Sequence, residues 1–81
     1  VASSKRPQAC QTAFGKALRR RRERLEVSQE ALAFTSEIHR TYISELERGL
    51  KNPSLTTIDR LAAALKTKAS TLIADAEAEL G

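Results

Sequence analysis

Apolar residues recur at intervals of three and four along most of the chain, the spacing of one buried stripe on a helix. Phe14, Ala17, Leu18 and Leu25 predict a first helix over about 13–25. A second, about 29–35, follows Ser28, whose hydroxyl can accept an orphan backbone N–H, while Glu30 complements the positive helix end. Leu32 and Ala33 are its core face. After a break at 36–38 comes a third helix, about 40–48, closed by Gly49, which can adopt the left-handed conformation, and kept from continuing by Pro53. Ser54 is placed to cap a fourth, about 55–66, striped by Leu55, Ile58, Leu61, Ala62 and Leu65. A fifth starts near Ser70, where Leu72, Ile73 and Ala76 can dock and Leu80 continues the stripe. No segment alternates as a strand would, and none repeats. Residues 1–11 mix Ser, Lys, Arg, Pro and Gln without periodicity and read as a flexible arm. The expectation is therefore an all-α chain: an arm over 1–11 and one five-helix domain over 12–81.

Composition narrows the class. A chain of 81 residues is about one small domain. The longest apolar run, 61–65, is too short to cross a bilayer, and the polar start VASSKRPQ is no signal peptide. The chain reads as soluble and cytoplasmic. One cysteine, Cys10, cannot form an internal disulfide, and one histidine in the chain leaves no Cys/His metal set, so no metal or other cofactor is expected. Cys10 reads as an incidental thiol on the arm.

Charge is unevenly placed. All 14 Lys and Arg lie in residues 1–68, whereas residues 69–81 hold only Asp75, Glu77 and Glu79. A basic body with an acidic end suggests a polyanionic partner.

The third helix has two unlike faces. At 100° per residue, Ile43, Leu46, Glu47 and Leu50 share one side, and Thr41, Ser44, Glu45 and Arg48 share the other, with Arg40 on the front flank. The outer face offers hydrogen-bonding groups and no apolar side chain. An α-helix fits the major groove of DNA, where Arg can pair with guanine through two bonds and Thr can touch a thymine methyl. Glu47 sits on the buried side, where an unpaired carboxylate would be costly. A helix at SQEALA, a three-residue break and a second helix from Arg40 make the layout of a helix-turn-helix.

The pieces SQEALA at 28–33, HRTYIS at 39–44, LERG at 46–49 and NPSL at 52–55 together resemble the phage repressor and Cro-type helix-turn-helix family, also called xenobiotic-response-element-like regulators. The resemblance covers about 13–73 and is nearest to small controller regulators, including those of restriction-modification systems. It implies a lambda-repressor-like fold and a bacterial or phage setting. Arg40, Thr41, Ser44 and Glu45 would reach base edges, and Tyr42 would touch a thymine methyl or the backbone, although its wheel angle equally suits packing on the helix edge. Gln29 would bind a phosphate and brace the third helix; Arg48, Lys51 and Asn52 would hold the backbone beyond it. Arg22 stands where the family places the partner of Glu47, implying a structural ion pair.

Two residues depart from the family pattern. Glu37 stands where Gly is usual in the turn between helices two and three, so that either a left-handed residue is strained or the turn is altered. His39 stands where Ser or Thr commonly caps the third helix, and only a neutral imidazole nitrogen could accept that bond, which would make binding vary with pH.

The function expected is a sequence-specific, double-stranded-DNA-binding transcription regulator, dimeric on a palindromic operator. The alternative keeps the fold and makes a protein the main partner, as in an antitoxin or a bridging module. Docking of the Arg-rich first helix on a membrane surface conflicts with the core's expected need for Phe14, Leu18 and Leu25. An enzyme is not expected, since the chain has no Gly-rich phosphate loop and no plausible triad around His39. Leu72, Ala76 and Leu80 either form a symmetric dimer contact or finish the monomer core.

Overall fold

The computed structural model describes residues 6–81, and over these it consists of five helices: α1 Arg6–Arg24, α2 Gln29–Ser36, α3 Arg40–Glu47, α4 Leu55–Ala64 and α5 Ala69–Leu80. One core takes Phe14 and Leu18 from α1, Leu32 from α2, Ile43 and Leu46 from α3, and Leu61, Ala62, Leu65 and Leu72 from α4, its end and α5. α1 lies along α5 and against α3, while α4 packs on α5 and α2.

The serine caps form as the sequence suggests. Ser28 Oγ accepts from Ala31 N at 3.0 Å and Ser54 Oγ from Thr57 N at 3.1 Å, each satisfying one orphan donor at a helix start. Gly49 takes φ 76° as α3 closes. In the α2–α3 turn Glu37 occupies the left-handed region at φ 59°, ψ 35°, and its N–H bonds Ala33 O. The turn keeps its geometry without glycine. Glu26 and Lys66, at φ 58° and 59°, do the same after α1 and α4.

Several expectations change. The first helix begins at Arg6 and not near Ala13, so residues 6–11 of the expected arm are helical, while residues 1–5 lie outside the described residues. Proline is tolerated in a helix's first turn, which accommodates Pro7, and residues 7–10 project past the core as an exposed extension with no buried stripe to betray it. Cys10 is thus an exposed thiol on a helix. Leu25 falls just past the end of α1 and is 47% exposed, and Leu55, first residue of α4, is 72% exposed. Leu50, beyond Gly49, also leaves the face it would share on a continuous helix and stands exposed.

Gly15 fixes how close α1 comes to α3. A Cβ on Gly15 would meet the carbonyl oxygen of Leu46 and lie 2.7 Å from that of Glu47. Ala normally favours a helix over Gly by about 1 kcal/mol, but here a methyl group would push two backbones apart. Gly15→Ala is expected to lower stability by about 1 to 3 kcal/mol in denaturant unfolding, the range for overpacking. Glu37→Gly, which relieves an αL side chain at the expense of a freer unfolded chain, should raise stability by about 1 kcal/mol or less.

Candidate nucleic-acid interface

Glu47, the last residue of α3, has its side chain only 4% exposed. Arg22 meets it through two bonds, Nε to Oε2 at 2.6 Å and Nη2 to Oε1 at 3.0 Å. Gln29 Nε2 donates to the same Oε1 at 2.9 Å, and Arg22 Nη1 donates to Val27 O at 2.9 Å. Three helices therefore meet at one carboxylate, and the loop between the first two is tied in through the Arg22 guanidinium. The hydrogen bonds that Arg22 donates to Glu47 raise its pKa above the ordinary value despite opposing burial. This arrangement is structural: it sets the end of α3 against α1 and the start of α2.

Opposite Glu47, α3 turns its polar side outward. Arg40, Thr41 and Arg48 are exposed, and Ser44 and Glu45 are half-buried. Lys51 and Asn52 are exposed in the segment that follows. Tyr42 is half-buried and packs against the core, favouring the helix-edge position that its wheel angle allowed. Gln29 is half-buried with one amide hydrogen turned to Glu47; an amide has a second to give. His39 sits at the N-cap of α3 without a side-chain capping bond, so the expected pH-sensitive cap is absent here.

The cations divide into two populations. Each of the four arginines 19–22 on α1 has a carboxylate partner: Arg19 with Glu23 at 3.0 Å, Arg20 with Glu79, Arg21 with Asp75 at 2.8 Å and Arg22 with Glu47. Two of the three acidic residues near the chain's end are thus matched to α1. Among the described residues Arg40, Arg48 and Lys51 form no ion pair. The densest basic run in the sequence is internally matched, whereas the three cations on and just beyond α3 are not. Sequence reading could count these charges but could not pair residues 54 or 59 positions apart. It also passed over Phe34, which α2 leaves 87% exposed.

No helix of the described residues is long and apolar enough to cross a membrane. Among those residues, no group of three or more His, Cys, Asp or Glu could hold a metal ion.

Glu47→Ala should leave the Arg22 guanidinium buried without its partner. The expected loss is about 3 to 5 kcal/mol, read as a lower denaturant midpoint, with Arg22→Ala costing a similar amount.

Comparisons with known proteins place this geometry. The sequence model of the Helix-turn-helix family matches residues 18–72. Control protein C.BamHI of Bacillus amyloliquefaciens is 43% identical over 61 residues, 74% of this chain and 75% of that protein. Control protein C.MunI of a Mycoplasma species is 37% identical over 67 residues, 82% of this chain and 90% of that protein. The crystal structure of the restriction-modification controller protein C.AhdI from Aeromonas hydrophila superposes with a TM-score of 0.75 at 42% identity, covering 76% of this chain and 94% of that one. The chain therefore belongs to the helix-turn-helix family of phage-repressor and Cro type, in which it is similar to the restriction-modification controller proteins.

Proposed function

We propose that this chain is a sequence-specific DNA-binding transcription regulator that lays the outer face of α3 in the major groove. One observation carries the reading: the four consecutive arginines 19–22 of α1 are matched to carboxylates, whereas Arg40, Arg48 and Lys51, around the exposed polar face of α3, are in no ion pair among the described residues. Unmatched cations beside a helix of groove-fitting width suit a polyanionic duplex. In this reading Arg40, Thr41, Ser44 and Glu45 face base edges, with Arg40 suited to guanine and Glu45 able to accept from cytosine. Tyr42 stands at the edge of that surface, within reach of a thymine methyl or the sugar-phosphate chain. Arg48, Lys51, Asn52 and the second amide hydrogen of Gln29 hold phosphates, which set register without reading sequence.

The same proposal makes the working unit a dimer on a palindrome, with half-sites spaced about 34 Å, one helical turn. Leu72 is fully buried within the single chain and cannot supply that contact. Ile73 and Leu80 remain partly exposed on α5, beside an apolar cleft of about 200 Å³ shared with Cys10 and Phe14 of α1. They are the side chains α5 has left for a symmetric contact. A chain whose principal target is a protein is the less favoured reading, because the outer face of α3 offers polar groups and unmatched charge. The reading places the protein in the bacterial cytoplasm and gives it no catalytic role.

Selection of bound fragments from a random-sequence duplex pool should recover one palindromic motif. Arg40→Ala is expected to relax the preference at one position per half-site, by about 1 to 3 kcal/mol. Lys51→Ala should weaken all sequences alike and flatten the salt dependence of log K by about one for each copy bound. Arg19→Ala, which touches a matched arginine, should change neither. A sequence-blind wild type, or a salt slope that responds to Arg19 and not to Lys51, would overturn the reading.

A further inference from the structure

His39 is the chain's one histidine, and it stands at the N-cap of α3, immediately before Arg40. Ser28 and Ser54, in the same place on α2 and α4, each turn an oxygen back onto a helix N–H. The His39 side chain makes no such bond, and only its carbonyl is used, accepting from Ile43 N at 3.1 Å. The residue is exposed and forms no ion pair among the described residues. When a recognition helix lies in the major groove, its N-terminal residues come close to the duplex, and helix starts are among the groups that bind phosphates.

Few charged groups surround this position. α3 packs against α2 and α1. From α2, Glu37 at the C-cap lies two residues before His39, and α4 brings Arg60 to the groove that Glu37 lines. α1 meets α3 at the opposite end, where Gly15 lies against the carbonyls of Leu46 and Glu47 and Arg22 holds the Glu47 carboxylate. On α3 itself the neighbour is Arg40. No carboxylate among the described residues therefore pairs with an imidazolium at His39, while Arg40 and the positive end of α3 both oppose one. A phosphate is an anion that can offset them, by accepting a charge-assisted bond from the ring.

We propose that His39 is a further phosphate-binding residue of the DNA surface and that it binds in its protonated form, a proposal that rests on the major-groove reading of α3. Each copy then takes up a proton at His39 as it seats on a duplex from neutral solution. The uncapped helix start is the counterpart, since one imidazole cannot both cap α3 and meet a phosphate. The two roles also have opposite signs. A capping imidazole must be neutral, so binding would strengthen as pH rises; a phosphate contact strengthens it as pH falls.

The test follows the fluorescence anisotropy of two labelled duplexes of equal length, the palindrome recovered by selection and a scrambled sequence. The full chain is titrated into each at about pH 5.5 and about pH 7.5, either side of the ordinary imidazole range. Both duplexes should bind several-fold more tightly at the lower pH, because phosphates are common to them. There log K should also fall more steeply with log salt, by about one for each copy bound. His39→Ser supplies a cap and should raise the unfolding midpoint, yet remove the pH response. His39→Lys, cationic throughout, should bind at the higher pH as the wild type does at the lower. Equal wild-type affinity at the two pH values, a response that survives His39→Ser, or one confined to the palindrome would overturn the proposal. If selection recovers no palindrome, the scrambled duplex alone still reads the contact. A chain that binds neither duplex at either pH would sink the major-groove reading itself, and this contact with it.

Discussion

The carboxylate of Glu47 is the point on which the arrangement of helices depends. It is nearly enclosed, it receives donors from Arg22 and Gln29, and it terminates the helix whose other face is polar. A charge in such a place is tolerated only when its lone pairs are filled, and here two helices supply the filling. Gly15 acts on the same junction from the steric side, because its missing side chain lets α1 reach the carbonyls at the end of α3. Direction and distance of α3 are thus fixed by separate physical means.

Charge is sorted rather than spread. α1 holds four consecutive arginines, and each has a carboxylate at its end: one on its own helix, one on α3 and two on α5. The exposed pairs contribute little to stability individually. Their larger effect is on the external field, since matched charges cancel at a distance and Arg40, Arg48 and Lys51 around α3 are left uncancelled.

Much of the fold was legible because local chemistry is written locally. Ser28 and Ser54 precede their helices as caps, Gly49 sits where a left-handed residue is needed, and Ile43, Leu46 and Leu61 recur at helical spacing and are buried. The first turns of α1 were not legible, because an exposed extension needs no apolar stripe. Leu25 and Leu55 fit the periodicity but lie at or past helix ends, where the spacing no longer determines facing. Gly15 reads as a mild helix breaker until a second backbone is seen beside it. At the candidate site, the outer face of α3 follows from the wheel alone, whereas the pairing of Arg20 and Arg21 with α5 depends on contacts between distant parts of the sequence. Glu37 is an intermediate case: the family pattern marks the position as left-handed, and the glutamate adopts that conformation because its N–H closes α2 there.

Anchoring α3 from two helices has a thermodynamic consequence for any partner it meets. Ordering a segment on binding takes free energy from the encounter, and coupled folding leaves a large heat-capacity signature. A helix held at Glu47 and packed through Ile43 and Leu46 has already lost that freedom during folding. Its eight residues meet a surface as a rigid template, so discrimination rests on shape and hydrogen-bond match, with little capacity to remodel toward a poorly fitting target.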